Sequence, residues 1–376
     1  MNILLIIGFV MSCFLGFLLI VKKNKLPSDR YLVGIFTIYA ITIGGTFIDG
    51  YNLENGYPYP HLLNFSWLFL LLHGPFLWLY IKHLTNENMK LRRIHMLHFA
   101  PFIFYSVFHY FNFLSLPSDE KILLTNQLFA TRIAPKIGTL IIGLSTVGYN
   151  IIVLFMLKTH RKNIRNKFSN IENIELNWLR TFVVASLVIF SINVLLFILN
   201  NHMQFTEDHK LSQVAYSFSA VYVFYIGYFG IRQGQIFVDN PGKTVEKSHE
   251  RQLQKETVNI EKKDYSHIIS KLTIFMEIEQ PFLDPELSLA KLSDLLQIKP
   301  EILSEVLNAS LNQNFFEYIN KYRVEEFKIQ CLKQDKKHLS VIGIAYDCGF
   351  NSKAAFYRAF NKFEGMSPTT YISKVS

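Results

Sequence analysis

"IAYDCGFNSKAAFYRAFNKFEGMSPTTYI", Ile344–Ile372, lies near the end of a chain whose first two hundred or so residues are dominated by long apolar runs. Its capping and apolar residues fall at helical intervals. Ser340, just upstream, and Ser352 stand where a side-chain oxygen caps a first turn, because the free N–H groups there need acceptors. Gly349 lies between them, at a sharp turn that needs the left-handed backbone disfavoured by any side chain. Phe356 and Phe360 are one turn apart and share a face. Ser367 and Pro368 read as N-cap and first residue of a last helix, "TTYISKV". The stretch therefore predicts a short helix, a tight turn, a second helix and a closing one.

The same pattern occurs upstream. Ile268, Leu272, Phe275 and Met276 repeat at three and four, which predicts an amphipathic helix ending near Gln280-Pro281. Ser288 caps "LAKLSDLLQI" with Leu289, Leu292, Leu295 and Leu296 inward, a turn follows at Gln297–Lys299, and Pro300 opens "PEILSEVLNAS". A long helix, "FFEYINKYRVEEFKIQCLKQ", then buries Phe316, Ile319, Tyr322, Val324, Phe327 and Cys331 or their neighbours. Two helix-turn-helix units joined by a long helix is the resulting expectation for residues 265–376.

The closing stretch resembles the signature of the AraC/XylS family of bacterial transcription regulators. The residues that carry the likeness are Ala345, Gly349, Phe350, Ser352, Phe356, Arg358, Phe360, Gly365, Ser367, Pro368 and Tyr371. The resemblance covers about 110 residues and implies double-stranded DNA as partner, with two recognition helices in successive major grooves about 34 Å apart. It places Lys353, Ala354, Tyr357 and Arg358 on the DNA-facing side, with Lys362 near a phosphate. On the first recognition helix the corresponding face carries Pro300, Glu301, Ser304, Glu305 and Asn308, where family members often carry basic or amide side chains. Glutamate accepts from cytosine but repels phosphate, so this half is expected to contribute less affinity. Asn312 stands where many members have glycine, and tolerates the same backbone.

The first 231 residues are a different material. Half of the chain is hydrophobic, 18% is charged, and there are 34 Phe and 19 Tyr, a bias concentrated before Arg232. About 20 apolar residues cross a bilayer as a helix. Seven stretches meet that requirement: Asn2–Val21, Tyr31–Asp49, Leu62–Ile81, Met96–Leu116, Ile137–Leu157, Leu179–Leu199 and Leu211–Ile231. The fold expected is thus all-α, a seven-helix transmembrane bundle (1–231), a linker (232–264) and a double helix-turn-helix domain (265–376).

Lys and Arg collect in alternate loops, at Lys22–Arg30, Lys82–Arg93 and Lys158–Arg180, which puts those loops inside, the N-terminus outside and the C-terminal domain in the cytoplasm. The first run lacks a basic n-region and a small-residue cleavage site, so it reads as a retained span. With the family resemblance, this implies the inner membrane of a bacterium. The formal net charge of +9 is a membrane signal, since residues 265–376 are nearly balanced.

Polar residues inside the spans are the places to seek a site: Asp49, His73, His109, Asn150 and Asn193. Each has a structural reading as a span end, a kink partner or an interhelix bond. His95 and His98 share a helix face, yet no further ligand completes a metal set. The run "FAPFIFYSVFHYFNF" suits an aromatic pocket or ordinary helix packing. No hydrolase, zinc-protease or phosphate-loop pattern is present, so neither an enzyme nor a cofactor is expected. Cys13, Cys331 and Cys348 form no framework. Two readings follow: a membrane-anchored transcription regulator with an unknown signal ligand, homodimerising through its spans or released by cleavage of its linker, or a receptor or transporter whose C-terminal domain makes protein contacts.

Overall fold

The structure is a computed structural model describing residues 2–86, 91–126, 133–172, 174–203, 208–238, 265–333, 336 and 339–375. Among these the chain is helical, with no named strand, and it divides into two compact units. One holds the residues up to Lys158 and those from Leu176 to the end of the eighth helix. The other holds Thr159–Glu175 together with the residues from Tyr265 onward. Of the expected linker, 232–264, residues 232–238 extend the helix before it and 239–264 lie outside the described residues.

The first unit is built on α1 (Asn2–Val21), α2 (Asp29–Glu54), α3 (Leu70–Thr85), α4 (Ala100–His109), α5 (Ser118–Asn126), α6 (Ile133–Lys167, to Lys158 in this unit), α7 (Asn177–Met203) and α8 (Asp208–Val238). Leu5, Leu32, Phe36, Ile43, Val183 and Val223 bring α1, α2, α7 and α8 into one core. Gly8 is required by that packing, because a Cβ there would lie 2.7 Å from the Cβ of Ala220. The outer faces stay apolar, with Phe14, Phe17 and Ile20 of α1 exposed.

Among the described residues five helices are long and apolar enough to cross a membrane: Ile3–Val21, Asp29–Glu54, Pro60–Thr85, Lys136–Lys167 and Asn177–Leu196. Two of the seven expected spans are not among them. The expected fourth is a 3₁₀ turn, then α4, then a π-wound turn at Tyr110–Leu114, and the following helix departs at 101°. Pro117, with no N–H to donate, marks that break. Counting the bent pair as one span gives six. The expected seventh, Leu211–Ile231, lies within α8 (Asp208–Val238).

The polar candidates in this unit have structural company. Asp49 accepts the Asn64 N–H at 3.0 Å, and the Asn150 amide donates to the Thr146 carbonyl at 2.8 Å. The His73 ring packs edge-on against Tyr39, and His109 stacks between Tyr105 and Phe113. His98 bonds the Tyr149 hydroxyl at 2.6 Å and packs against Trp78, and among the described residues no group could hold a metal ion. The Asn193 side chain lies outside the described residues. A cavity of about 100 Å³ opens among α2, α3, α6, α7 and α8, with Tyr39, His73, Thr146, Tyr216 and Tyr222 in its wall.

The second unit contains α9 (Ser266–Ile278), α10 (Leu289–Leu296), α11 (Pro300–Glu305), α12 (Phe315–Gln330), α13 (Val341–Asp347), α14 (Lys353–Glu364) and α15 (Pro368–Val375). The caps explain the boundaries. Ser288 Oγ accepts from Lys291 N at 3.2 Å, Asn314 Oδ1 from Glu317 N at 3.0 Å, Ser340 Oγ from Gly343 N at 3.0 Å and Ser352 Oγ from Ala355 N at 3.0 Å. Gln297 and Asn312 take left-handed backbone at the turns, as Gly349 does at φ +90°.

Two cores result. Leu272, Met276, Leu292, Leu303 and Leu307 pack around Phe315, Tyr318 and Ile319, whereas Ile344, Phe350, Phe356 and Phe360 pack around Val324 and Phe327. The first half of α12 belongs to one and its second half to the other, so this helix fastens the two helix pairs together. One expected inward residue, Leu295, is exposed, and of the pair Phe315 and Phe316 it is Phe315 that takes the core position, with Phe316 half-buried. In each case the apolar stripe of the helix is one position narrower or shifted from the expectation, because the neighbouring helix selects the face.

Candidate nucleic-acid interface

The N–H groups opening α14 are held by Ser352, and Phe356, Ala359 and Phe360 anchor its inner face, leaving the opposite side free to carry polar groups. That side presents Lys353, Ala354, Arg358, Asn361 and Lys362, all exposed. Tyr357 is half-buried, edge-on to Phe356, with the Lys353 ammonium 5.7 Å from its ring centre. Of the five residues expected on the second recognition helix, four are exposed and Tyr357 is half-buried.

Two of these cations face carboxylates. The Arg358 guanidinium lies 3.7 Å from Glu172 and 3.8 Å from Glu175. Lys362 pairs with Glu317 of α12. Burial pushes the Glu317 carboxyl up, but the Lys362 ammonium and the Asn314 side chain outweigh it and hold it below the ordinary carboxylate range.

The first recognition helix is shorter. After Glu305 it continues as a π-wound turn, Val306–Ser310, with Leu303, Val306 and Leu307 buried beneath. Glu301, Glu305 and Asn308 are exposed and Ser304 is half-buried, its carbonyl accepting from the Asn308 amide at 2.7 Å. Beside Glu305 stands Tyr265. Burial and then the Glu305 carboxylate raise the Tyr265 phenol above its ordinary value. The four residues Glu301, Ser304, Glu305 and Asn308 thus include two carboxylates and no cation, in contrast to α14.

The two pairs meet at Arg323, which is 1% exposed. Its Nε donates to the Phe282 carbonyl at 2.7 Å, and its Nη2 donates to the Asp284 carbonyl at 2.8 Å and to Ser169 Oγ at 3.2 Å. Burial lowers its pKa to about 10, against the opposing charges of Asp284 and Glu286, so it stays protonated at neutral pH. Arg323, Ser169, Glu172 and Glu175 were not anticipated from sequence. The acidic repeat in "SNIENIEL" is the signal the sequence offers for the two glutamates.

Cys348 closes α13 within the second core, fully buried. Burial, then the charges of Glu326 and Asp347, push its thiol up to about 12. At pH 8 only about one part in ten thousand is thiolate. Iodoacetamide is therefore expected to leave Cys348 unmodified in the folded chain and to alkylate it in denaturant, as read by peptide mass spectrometry. Labelling of the folded protein at Cys348 ahead of half-buried Cys331 would contradict this packing.

A family model described as a helix-turn-helix domain matches residues 292–374, from within α10 to within α15. The chain therefore carries a DNA-binding helix-turn-helix domain at its C-terminal end. No curated protein and no solved structure matches the chain.

Proposed function

We propose that the chain is a membrane-anchored, sequence-specific DNA-binding transcription regulator that couples a signal at its membrane unit to gene expression. The observation that carries this reading is the helix-turn-helix match on a unit whose α14 exposes Lys353, Arg358 and Lys362, in a chain whose described residues include five helices apolar enough to span a bilayer. The arrangement proposed is seven spans in the inner membrane of a bacterium, with α8 and the bent fourth segment crossing too, the N-terminus outside and the DNA-binding unit in the cytoplasm. The wall of the cavity among α2, α3, α6, α7 and α8 offers ring faces and hydroxyls to a small membrane-soluble ligand. Two copies paired through their spans would raise the local concentration of DNA-binding units on a repeated site.

In this reading α14 supplies most of the affinity for DNA. Arg358 donates to a base edge or phosphate, Lys353 and Lys362 attract the backbone, and Tyr357 and Ala354 give apolar contact. Glu301, Ser304 and Glu305 on α11 give selectivity at the cost of repulsion from phosphates. Arg358→Ala in the full-length protein is expected to weaken binding to recovered genomic fragments by 1–3 kcal/mol, about fivefold to 150-fold. Its logarithmic salt slope should fall by about 1 if the lost contact is to phosphate. If the intact protein enriches no genomic sequence and its DNA binding ignores salt, the alternative of a membrane receptor or transporter with a protein-docking domain takes precedence.

A further inference from the structure

Residues Thr159–Glu175 lie far from the helix-turn-helix region in sequence yet belong to its compact unit. Their seating is specific. The Ser169 N–H and hydroxyl both donate to the Leu287 carbonyl, at 3.3 and 2.6 Å, and the Ser169 carbonyl accepts from the Asn320 amide at 3.3 Å. Phe168 forms an isolated antiparallel bridge with Ser288, and the Arg165 guanidinium lies 5.5 Å from the centre of the Phe316 ring. Ile164 and Ile171 are buried. Beyond this anchor the chain turns through Glu172 and Glu175, both of which face Arg358.

We propose that the DNA-facing flank of α14 is an interaction surface for this acidic turn of the same chain, and that the turn and DNA compete for Arg358. The inference rests on the DNA-binding reading of α14 and adds how that site is controlled. The chemistry matches, since a carboxylate presents to guanidinium the same oxygen pair that a phosphate does. The strength matches too. At 3.7 and 3.8 Å the contacts are ion pairs beyond hydrogen-bond distance, and the Arg358 side chain is 55% exposed, so they are weak and screened by salt. A polyanion can displace such contacts, whereas the buried anchor at Ser169 stays seated. Glu175 is also held by Arg161, its side chain only 2% exposed, so the turn is pinned in front of α14. The segment is continuous in sequence with α6 and α7, the expected fifth and sixth spans, which gives the membrane helices a covalent lever on the turn.

The test is a mutant cycle on the full-length protein in phosphatidylcholine nanodiscs, with a fluorescein-labelled 40-base-pair duplex of random sequence as probe. Glu172→Gln with Glu175→Gln is expected to tighten binding about tenfold, and the same pair in an Arg358→Ala background by less than about twofold. Glu172→Gln alone, at the more exposed carboxylate, is expected to tighten binding about threefold. It keeps the test valid if the buried Glu175 site tolerates no change. Equal tightening in both backgrounds would mean that net charge alone is responsible and would overturn the proposal. So would no tightening in protein that binds the duplex. If no form of the protein binds any duplex, the DNA-binding reading itself falls, and the competition with it.

Discussion

Gly349→Ala is expected to destabilise the C-terminal unit by about 3 kcal/mol or more, through two independent penalties. The backbone there has φ +90°, a region that costs an L side chain about 1–2 kcal/mol. The added methyl would also lie 2.4 Å from the Phe282 carbonyl oxygen and 2.9 Å from that of Leu283. Those atoms belong to backbone fixed by the 3₁₀ turn Pro281–Leu283, so relief requires moving α13 away from the first helix pair. Native-state hydrogen exchange of α12 and α13 reads the effect directly. Protection unchanged from the parent protein would show that the turn yields easily and that this contact is not tight. Gly365, also left-handed but with open space around it, is the control, and alanine there should cost only the conformational part.

Arg323→Met should be of similar size, about 3–5 kcal/mol, for a different reason. Methionine fills much of the volume but donates nothing, leaving the Phe282 and Asp284 carbonyls and Ser169 Oγ short of a donor in a buried place. The carbonyl of Phe282 is common to both predictions. Arg323 donates to it, and the methyl of alanine at 349 would strike it. The two substitutions are therefore expected to be less than additive, with a coupling of about 1 kcal/mol or more in a double-mutant cycle on exchange protection. Strict additivity would place the two effects in separate regions and contradict a shared junction.

What could be read from sequence was whatever is fixed within four residues. Ser288, Ser340 and Ser352 cap helices because the acceptor and the N–H it serves lie three residues apart, and Gly349 marks a turn whose geometry excludes a side chain. Facing was less secure. Leu295 and Phe316 fit a helical repeat, but the choice of buried stripe is made by partners distant in sequence. The bend after the fourth apolar stretch was hidden for a related reason, since hydropathy sums over a window and is blind to direction. Glu172 and Glu175 were invisible as partners of Arg358, because nothing local to either stretch announces a contact across more than 180 residues.

Ser169 carries one more consequence. Arg323 reaches it from the middle of α12, so one of the guanidinium's acceptors is supplied by chain that precedes α7, not by chain that follows α8. A protease cutting anywhere between residues 239 and 264 would liberate a fragment that had to leave this piece behind. The freed product would be an incomplete copy of the unit, with Arg323 short of one acceptor and Arg358 without its acidic cover. Proteolysis would then be a change of composition as well as of address.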